Sequence, residues 1–405
     1  MGDRLSRRGE RYSAHPCRSR AWLAAVVGGA AAGLALPRLG WPPLLWVALA
    51  LLWSLLERPQ PRWTAACWGA LAVMISHRWL LALHPLDWMG VPAPLSLPIC
   101  WLLLLFCSAL AGGLLLLWSS LAIWLQPRRF SSALLLSCSW GLAEVLLARG
   151  PLFWLGLGAA ALPGDPPLAG LAALGGAGLV AAVQLLIGWG LWRLLAAGTG
   201  RLRPRLLAWF GAGLAVLALH GLGAAQLQAA AAASGPQPTL ERVLLVQPAI
   251  PTREKFGWQA RRRLQQQLQA GLAEAVAGSA DLVLLPEGAL GLEPVLAQPT
   301  PVELLSGGFR WQQAGAAEPE QRSALLRFAV GERRFSDALD KHRLVPLGEW
   351  VPLTQLVRWS GLSAVGGVQP GASSRLLRRP AGSLAAAICY EISDGAALAE
   401  AVAQG

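Results

Sequence analysis

Charged residues are scarce in this sequence. Only 14% of its 405 residues are charged and 55% are hydrophobic, a balance that excludes an ordinary soluble domain of this length and is typical of a membrane protein. The scarcity is uneven: residues 21–225 consist largely of long apolar runs, whereas residues 240–405 look like a globular α/β sequence. We therefore expect two regions of different architecture.

Lysine is almost missing, although the formal net charge is +12. It occurs only at Lys255 and Lys341, and the other strongly basic residues are all arginines. The arginines stand mainly in short clusters between apolar runs, a pattern that indicates membrane topology and not a nucleic-acid surface. We expect no nucleic-acid partner.

Closely spaced cysteine pairs are also missing. The chain has 6 cysteines but no C-x-x-C motif, and only Cys389 lies in the globular region. This spacing predicts neither a zinc site nor a disulfide framework.

Seven apolar runs approach or exceed the length needed to cross a bilayer. They lie at about residues 21–37, 41–56, 64–83, 99–125, 131–148, 169–195 and 205–223. We predict a multi-pass α-helical membrane bundle of about seven spans.

Arginine is concentrated in the N-terminal arm and in the second, fourth and sixth loops between these spans. Because positive residues near span ends stay on the cytoplasmic side, the N-terminus is predicted to be cytoplasmic and the C-terminal region extracytoplasmic. The predicted organisation is a basic arm at 1–20, a transmembrane domain at 21–225, a linker at 226–240 and an extracytoplasmic domain at 241–405.

The globular half begins with a strand, a helix and a second strand, as a layered α/β domain does. The patterns predict a strand at 242–250, a helix at 254–276, and strands at 281–285, 323–330 and 383–390.

Three residues in this half could carry chemistry. Glu287 follows a predicted strand and is either a carboxylate in a cleft or a helix cap. Lys341 is a lysine in a chain that otherwise uses arginine, which indicates either a need for a compact ammonium or chance. Cys389 is expected at a strand end, as a buried filler or a reactive thiol, and a carboxylate and an ammonium beside it would favour the thiol.

Glu144 lies inside a predicted span, where an acidic residue is a functional candidate. Pairing with an arginine of the bundle is the structural alternative.

The segments LLPEGAL, KHRLVPLGEWVPL and AICYEIS, in this order, resemble the nitrilase (carbon–nitrogen hydrolase) superfamily with its Glu-Lys-Cys triad. Preceded by membrane spans, the set looks like the apolipoprotein N-acyltransferase family. The segment VLLVQPAIP with Lys255, and Trp140, Glu144 and residues 152–154, are similar to other motifs of that family.

The resemblance implies an α/β nitrilase-like α-β-β-α sandwich in which Glu287 is the general base, Lys341 stabilises the oxyanion and Cys389 is the nucleophile. Three further residues would support the site: Glu349, Tyr390 and Glu391. The implied reaction moves an acyl chain from a membrane glycerophospholipid, through a thioester on the cysteine, to the N-terminal amine of a diacylated apolipoprotein. It implies a bacterial inner membrane location and no metal or diffusible cofactor.

Because both implied substrates are lipids, apolar residues after the lysine motif are expected to face the membrane. The candidates for this lipid-facing loop are Trp350, Leu356 and Trp359.

The sequence departs from the family pattern at Leu347, where phenylalanine is usual, at Phe256, where tryptophan is usual, and at residues 152–154. It also ends at Gly405, 16 residues after Cys389, whereas the family continues through further strands and a last transmembrane helix. The resemblance therefore predicts a truncated chain with a sandwich incomplete at its C-terminal end, which leaves its activity open.

Two rival functions stay open at this point. One is a membrane-tethered amidase or nitrilase-type hydrolase, and the other is a catalytically inactive lipid-binding membrane protein. A thioester formed on Cys389 from labelled phospholipid would favour acyl transfer over both.

Overall fold

The computed structural model describes residues 6–36, 39–87, 91–150, 156–197, 202–233, 241–251, 254, 257–312, 320–345, 349, 367–393 and 395–404. The chain divides into two compact units, a helical unit within the first 235 residues and an α/β unit that contains Pro236–Gly405. Each unit is described by itself below.

Helices form almost all of the described part of the first unit. They are α1 (Ser6–Ala35), α2 (Pro42–Leu55), α3 (Pro61–Ser76), α4 (Ala93–Trp124), α5 (Phe130–Ala148), α6 (Pro166–Ala169), α7 (Ala172–Ala196) and α8 (Leu202–Ala233), with 3₁₀ turns at Arg78–Leu83 and Leu157–Ala161.

Four of these helices are long and apolar enough to cross a membrane: α4, α5, α7 and residues 206–232 of α8. Helix α2 is apolar but has only 14 residues, which at 1.5 Å per residue is shorter than a hydrocarbon core of about 30 Å. The predicted membrane helical region is therefore confirmed, and the number of seven spans stays a prediction.

Helix α8 continues to Ala233, into the segment predicted as a linker at 226–240. The prediction rested on the lack of an apolar period in this stretch. Alanine has the highest intrinsic helix propensity of all residues, so its alanine run extends the helix without such a period.

The interior of the helical unit is built on large aromatic side chains and close helix contacts. Trp53 is fully buried and donates its indole N–H to the carbonyl of Leu185 at 3.0 Å. A Cβ atom at Gly141 would lie 2.3 Å from the carbonyl oxygen of Gly178, so α5 and α7 can approach this closely only because both positions are glycine.

Glu144 lies on α5 and is buried. Its Oε1 atom accepts hydrogen bonds from the Trp140 indole at 2.8 Å and from the Leu157 backbone N–H at 2.7 Å. Within the described residues no arginine forms an ion pair with it, so the expected pairing with an arginine is wrong there. These two neutral donors, together with the Gly158 backbone N–H, satisfy this carboxyl group instead.

The α/β unit contains a five-stranded mixed sheet in the order β1–β5. Its strands are β1 (Val243–Leu245), β2 (Leu282–Leu284), β3 (Glu303–Gln312), β4 (Glu320–Phe328) and β5 (Asp337–Asp340), and an antiparallel pair, β6 (Leu376–Leu377) and β7 (Leu384–Ala385), forms a second sheet. Strands β1, β2 and β3 are parallel, and β3, β4 and β5 are antiparallel. Helices α9 (Trp258–Ala277) and α10 (Gly395–Ala403) complete the described part of the unit.

Alternate residues of the sheet strands face two apolar layers, as the period of two in a strand requires. Val283 and Leu304 pack on one face with Leu268 of α9. Leu282 and Leu305 pack on the other face, together with residues of the β6–β7 pair. The unit is therefore a layered α/β domain, as the sequence predicted.

Candidate active site

Glu287 lies in a tight turn, three residues after the end of β2, as expected from the sequence. This turn packs directly onto the backbone of β3, because a Cβ atom at Gly307 would lie 2.4 Å from the Cα atom of Glu287. Gly307 thus allows the turn to sit against the sheet. Sequence reasoning missed this residue, although a glycine pair inside an apolar strand is a signal of close backbone approach.

Lys341 follows β5 directly, and its side chain is only 1% exposed. Its backbone N–H donates to the Ser323 carbonyl on β4 at 2.8 Å, which fixes the main chain. Its Nζ atom donates to Glu287 Oε1 at 2.8 Å and to Glu349 Oε1 at 2.9 Å. A buried ammonium between two carboxylates is a fully paired charge.

Two opposing effects act on the pKa of Lys341. Burial lowers its pKa, but the hydrogen bond and charge of Glu287, followed by those of Glu349, outweigh this effect, so the pKa of Lys341 is raised. The side chain is therefore a permanent cation at neutral pH.

Cys389 does not end a strand, contrary to the sequence prediction. Strand β7 ends at Ala385, and Cys389 begins a 3₁₀ turn, Cys389–Ser393. Its φ angle is +53°, in the left-handed region that non-glycine residues rarely adopt, so the strand cannot continue through this position. Backbone strain of this kind concentrates at functional sites.

The Cys389 side chain is exposed, and it interacts with both other members of the predicted triad. Partial loss of its water shell raises the pKa of the thiol, the negative charge and hydrogen bond of Glu287 raise it further, and the positive charge of Lys341 lowers it. The net shift is upward, so the resting sulfur is a thiol and needs a base to become a nucleophile.

Three distant positions of the chain thus meet: a turn after β2, the end of β5 and the turn after β7. The ammonium and the thiol both form hydrogen bonds with the Glu287 carboxylate, and the charge of the ammonium acts on the thiol. The roles predicted for Glu287, Lys341 and Cys389 stay predictions, but this geometry can deprotonate a sulfur and stabilise a negative charge beside it.

Two of the predicted supporting residues contact the loop around the lysine. Glu349 accepts from Lys341 with one oxygen and from the Val345 backbone N–H with the other, at 2.9 Å in each case. The Cζ atom of Arg343 lies over the Tyr390 ring, 4.9 Å from the centre of the ring. Burial raises the pKa of Tyr390, so its hydroxyl keeps its proton.

Glu391 is 2% exposed, and its carboxylate points into the protein. It accepts hydrogen bonds from the backbone N–H groups of Ile388 at 2.9 Å, His342 at 2.6 Å and Arg343 at 3.1 Å. Ile388 directly precedes Cys389 in the chain, and His342 and Arg343 directly follow Lys341.

The residues of the predicted lipid-facing loop, Trp350, Leu356 and Trp359, lie outside the described residues, as does Lys255. Among the residues that the structure covers, no cluster of three or more histidine, cysteine, aspartate or glutamate side chains is arranged to hold a metal ion.

Comparison with known proteins places the chain in a family. The model of the apolipoprotein N-acyltransferase N-terminal domain matches residues 28–190. A protein from Prochlorococcus marinus strain MIT 9313, called apolipoprotein N-acyltransferase, is 48% identical over 399 residues, which are 96% of this chain and 77% of that relative. The chain belongs to the apolipoprotein N-acyltransferase family.

Another apolipoprotein N-acyltransferase, from Parasynechococcus marenigrum strain WH8102, is 47% identical over 395 residues, 96% of this chain and 80% of the relative. The resemblance in the sequence motifs is therefore confirmed at the level of the family. As a member of the apolipoprotein N-acyltransferase family, the chain is an N-acyltransferase with a membrane helical region and an α/β domain.

Proposed function

We propose that the chain transfers a fatty acyl group from a membrane glycerophospholipid to the N-terminal amine of a diacylated apolipoprotein, with Cys389 as nucleophile, Glu287 as general base and Lys341 as oxyanion stabiliser. The observation that carries this proposal is the contact of Lys341 with Glu287 at 2.8 Å, beside the exposed thiol of Cys389.

In the first half-reaction, Glu287 takes the thiol proton and the Cys389 sulfur attacks an ester carbonyl carbon of the phospholipid. A C–S bond forms, and the negative charge on the carbonyl oxygen is stabilised by the Lys341 ammonium. When the C–O bond breaks, Glu287 returns the proton to the leaving alkoxide. The products are an acyl thioester on Cys389 and a lysophospholipid.

In the second half-reaction, the α-amine of the apolipoprotein attacks the thioester carbonyl. A C–N bond forms, the C–S bond breaks, and Glu287 accepts the proton that the amine loses and returns it to the sulfur. The product is an N-acylated lipoprotein, and the enzyme regains its starting thiol.

The two carboxylates that contact Lys341 differ in exposure, and this difference suits different roles in the reaction. Glu287 is partly exposed, with 34% of its side chain in contact with solvent, whereas Glu349 is less exposed, at 19%. Glu287 can therefore exchange protons with substrate, while Glu349, held also by the Val345 backbone N–H, keeps a partner on Lys341 when Glu287 is protonated. This second partner keeps the ammonium in place through the cycle.

We propose the location of the protein together with its chemistry. The arginine distribution supports about seven spans in a bacterial inner membrane, with the arm at 1–20 cytoplasmic and the catalytic domain at 241–405 periplasmic. The domain limits at 21–225 and 226–240, and a lipid-facing role for Trp350, Leu356 and Trp359, are proposed with it.

Labelled phospholipid tests the chemistry directly. The 405-residue chain is incubated with vesicles that contain phospholipid with a labelled acyl chain, and the Cys389 peptide is examined by mass spectrometry. We expect an acyl thioester on Cys389 that disappears when a diacylated lipopeptide with a free amine is added, while labelled amide appears.

Cys389→Ala should abolish the thioester, and the matched control Cys138→Ser, a change at another exposed cysteine, should leave it unchanged. Hydrolysis of simple amides without any phospholipid-derived thioester would support the rival amidase and contradict the proposal.

A further inference from the structure

A buried ion pair lies beside the candidate triad. Arg375, at the start of the β6–β7 segment, and Glu391, in the turn after Cys389, are each 2% exposed. Arg375 Nη1 lies 2.7 Å from Glu391 Oε1 and 2.9 Å from Glu391 Oε2. Burying two charges costs several kcal/mol per ion unless good geometry and further hydrogen bonds offset this cost. The further hydrogen bonds of this pair therefore explain how it can be buried.

Those partners are main-chain groups next to the triad. Arg375 Nη2 donates to the carbonyl of Asp340, the residue before Lys341, at 2.9 Å, and to the carbonyl of Ala372 at 2.5 Å. Glu391 accepts from the N–H of His342, the residue after Lys341, at 2.6 Å. The pair therefore holds the chain on both sides of the lysine.

The same pair also holds the segment that carries the thiol. Glu391 Oε2 accepts from the N–H of Ile388, the residue before Cys389, at 2.9 Å. Cys389 itself has a left-handed backbone, with φ at +53°, a conformation that persists only where the surroundings impose it. The hydrogen bond that the Ile388 N–H donates to the Glu391 carboxylate, which is itself held by Arg375, is such a constraint.

We infer that Arg375 is a positioning residue of the acyltransferase site, which through Glu391 sets the Cys389 turn against the Lys341 segment. The inference rests on the proposed function, in which the sulfur and the ammonium act on one carbonyl group. Glu391 alone cannot do this, because a buried carboxylate without a counter-charge would reorient toward water or take up a proton.

The test compares Arg375→Lys with Arg379→Lys in the full chain. Arg379 is a matched control: its side chain is 4% exposed, and it pairs with Glu241 at 2.7 Å and Glu303 at 2.8 Å. Glu241 and Glu303 belong neither to the Lys341 segment nor to the Cys389 turn. Both changes keep the charge and remove the planar fork of the guanidinium.

Two readouts are taken on the folded fraction, isolated by size exclusion. One is the rate of Cys389 acylation from phospholipid vesicles, and the other is the pH dependence of Cys389 alkylation by iodoacetamide, read from the Cys389 peptide. For Arg375→Lys we expect acylation to fall about 100-fold, as a displacement of about 1 Å does. Alkylation should need a higher pH, because the Lys341 charge that lowers the pKa of the thiol is held less closely.

For Arg379→Lys we expect acylation and the alkylation profile to stay within about twofold of the parent, even where the melting temperature falls. Equal losses in both variants, or a parent-like Arg375→Lys, would overturn the inference. If Arg375→Lys does not fold, Glu391→Gln is measured in its place. The amide has one oxygen, so it can accept from the Lys341 segment or from the Cys389 turn but not from both, and both readouts should shift in the same direction as expected for Arg375→Lys.

The alkylation profile separates this inference from the proposed function. If the parent forms no thioester from phospholipid, the proposed function fails, while a shifted profile in Arg375→Lys alone still supports the positioning role. If the parent forms the thioester and Arg375→Lys does so equally fast, only the positioning role fails.

Discussion

Replacing Lys341 by methionine removes the ammonium and keeps a side chain of similar length. In the parent, Nζ lies 2.8 Å from Glu287 Oε1 and 2.9 Å from Glu349 Oε1. The substitution therefore leaves two carboxylates facing each other across a methyl group with no cation between them. We expect losses in stability and in acyl transfer, and these two losses can be separated.

The loss in stability follows from the burial of the pair. Breaking a buried ion pair by removing one partner costs about 3–5 kcal/mol. Because 34% of the Glu287 side chain is exposed, water screens part of the repulsion, and we expect the lower end, about 3 kcal/mol. In a domain of this size that corresponds to a fall of about 6–12 °C in melting temperature.

The loss in rate has a different origin. Removal of one oxyanion-stabilising group lowers the rate about 10²–10³-fold, and this loss does not depend on how many carboxylates remain. Adding Glu349→Gln to Lys341→Met removes one of the two facing charges. The double variant should therefore regain part of the melting temperature but none of the acyl transfer.

Thermal proteolysis in detergent measures the first quantity, as the temperature at which half of the Cys389-containing unit becomes sensitive. The rate of thioester formation, measured by mass spectrometry of the Cys389 peptide, gives the second. A Lys341→Met protein that melts like the parent would refute the assigned ion-pair geometry. One that forms the thioester at the parent rate would refute the oxyanion role.

Glu287→Gln should shift alkylation of Cys389 to lower pH, because the negative charge that raises the pKa of the thiol is gone, while acyl transfer falls about 10²–10⁴-fold for want of the base; an unchanged profile would contradict the contact. Trp359→Asp should slow transfer from phospholipid vesicles but not from a short water-soluble acyl ester, and equal rates on both would remove Trp359 from the lipid-facing loop. Glu144→Ala should destabilise the helical unit by about 1–3 kcal/mol for each donor that it leaves buried without a partner. Glu144→Gln should destabilise it less, since the amide keeps one oxygen for the Trp140 and Leu157 donors, which both bind Oε1; equal melting of the two variants would show that these two bonds contribute little.

The sequence by itself determined the broad architecture and the family. Apolar length and composition predict membrane helices from local information, because a span must satisfy its own backbone hydrogen bonds. The strand–helix–strand start of the α/β domain follows from periodicity in the same way. The motifs around Glu287, Lys341 and Cys389 were enough to indicate the apolipoprotein N-acyltransferase family.

Only the tertiary structure decided how these motifs meet. Strand β3 was not predicted, since Gly307 and its neighbour give it low strand propensity, yet the turn with Glu287 rests on that glycine. The turn at Cys389 looked like a strand because its apolar sequence suits one, but Glu391 accepts hydrogen bonds both from Ile388 within the turn and from His342 and Arg343 in a distant segment. The role of Arg375 has no local signal, because the partners that connect it to the site lie 16 residues away at Glu391 and 35 residues away at Asp340. Contacts at such separations depend on the fold as a whole, and no pattern of neighbouring residues encodes them.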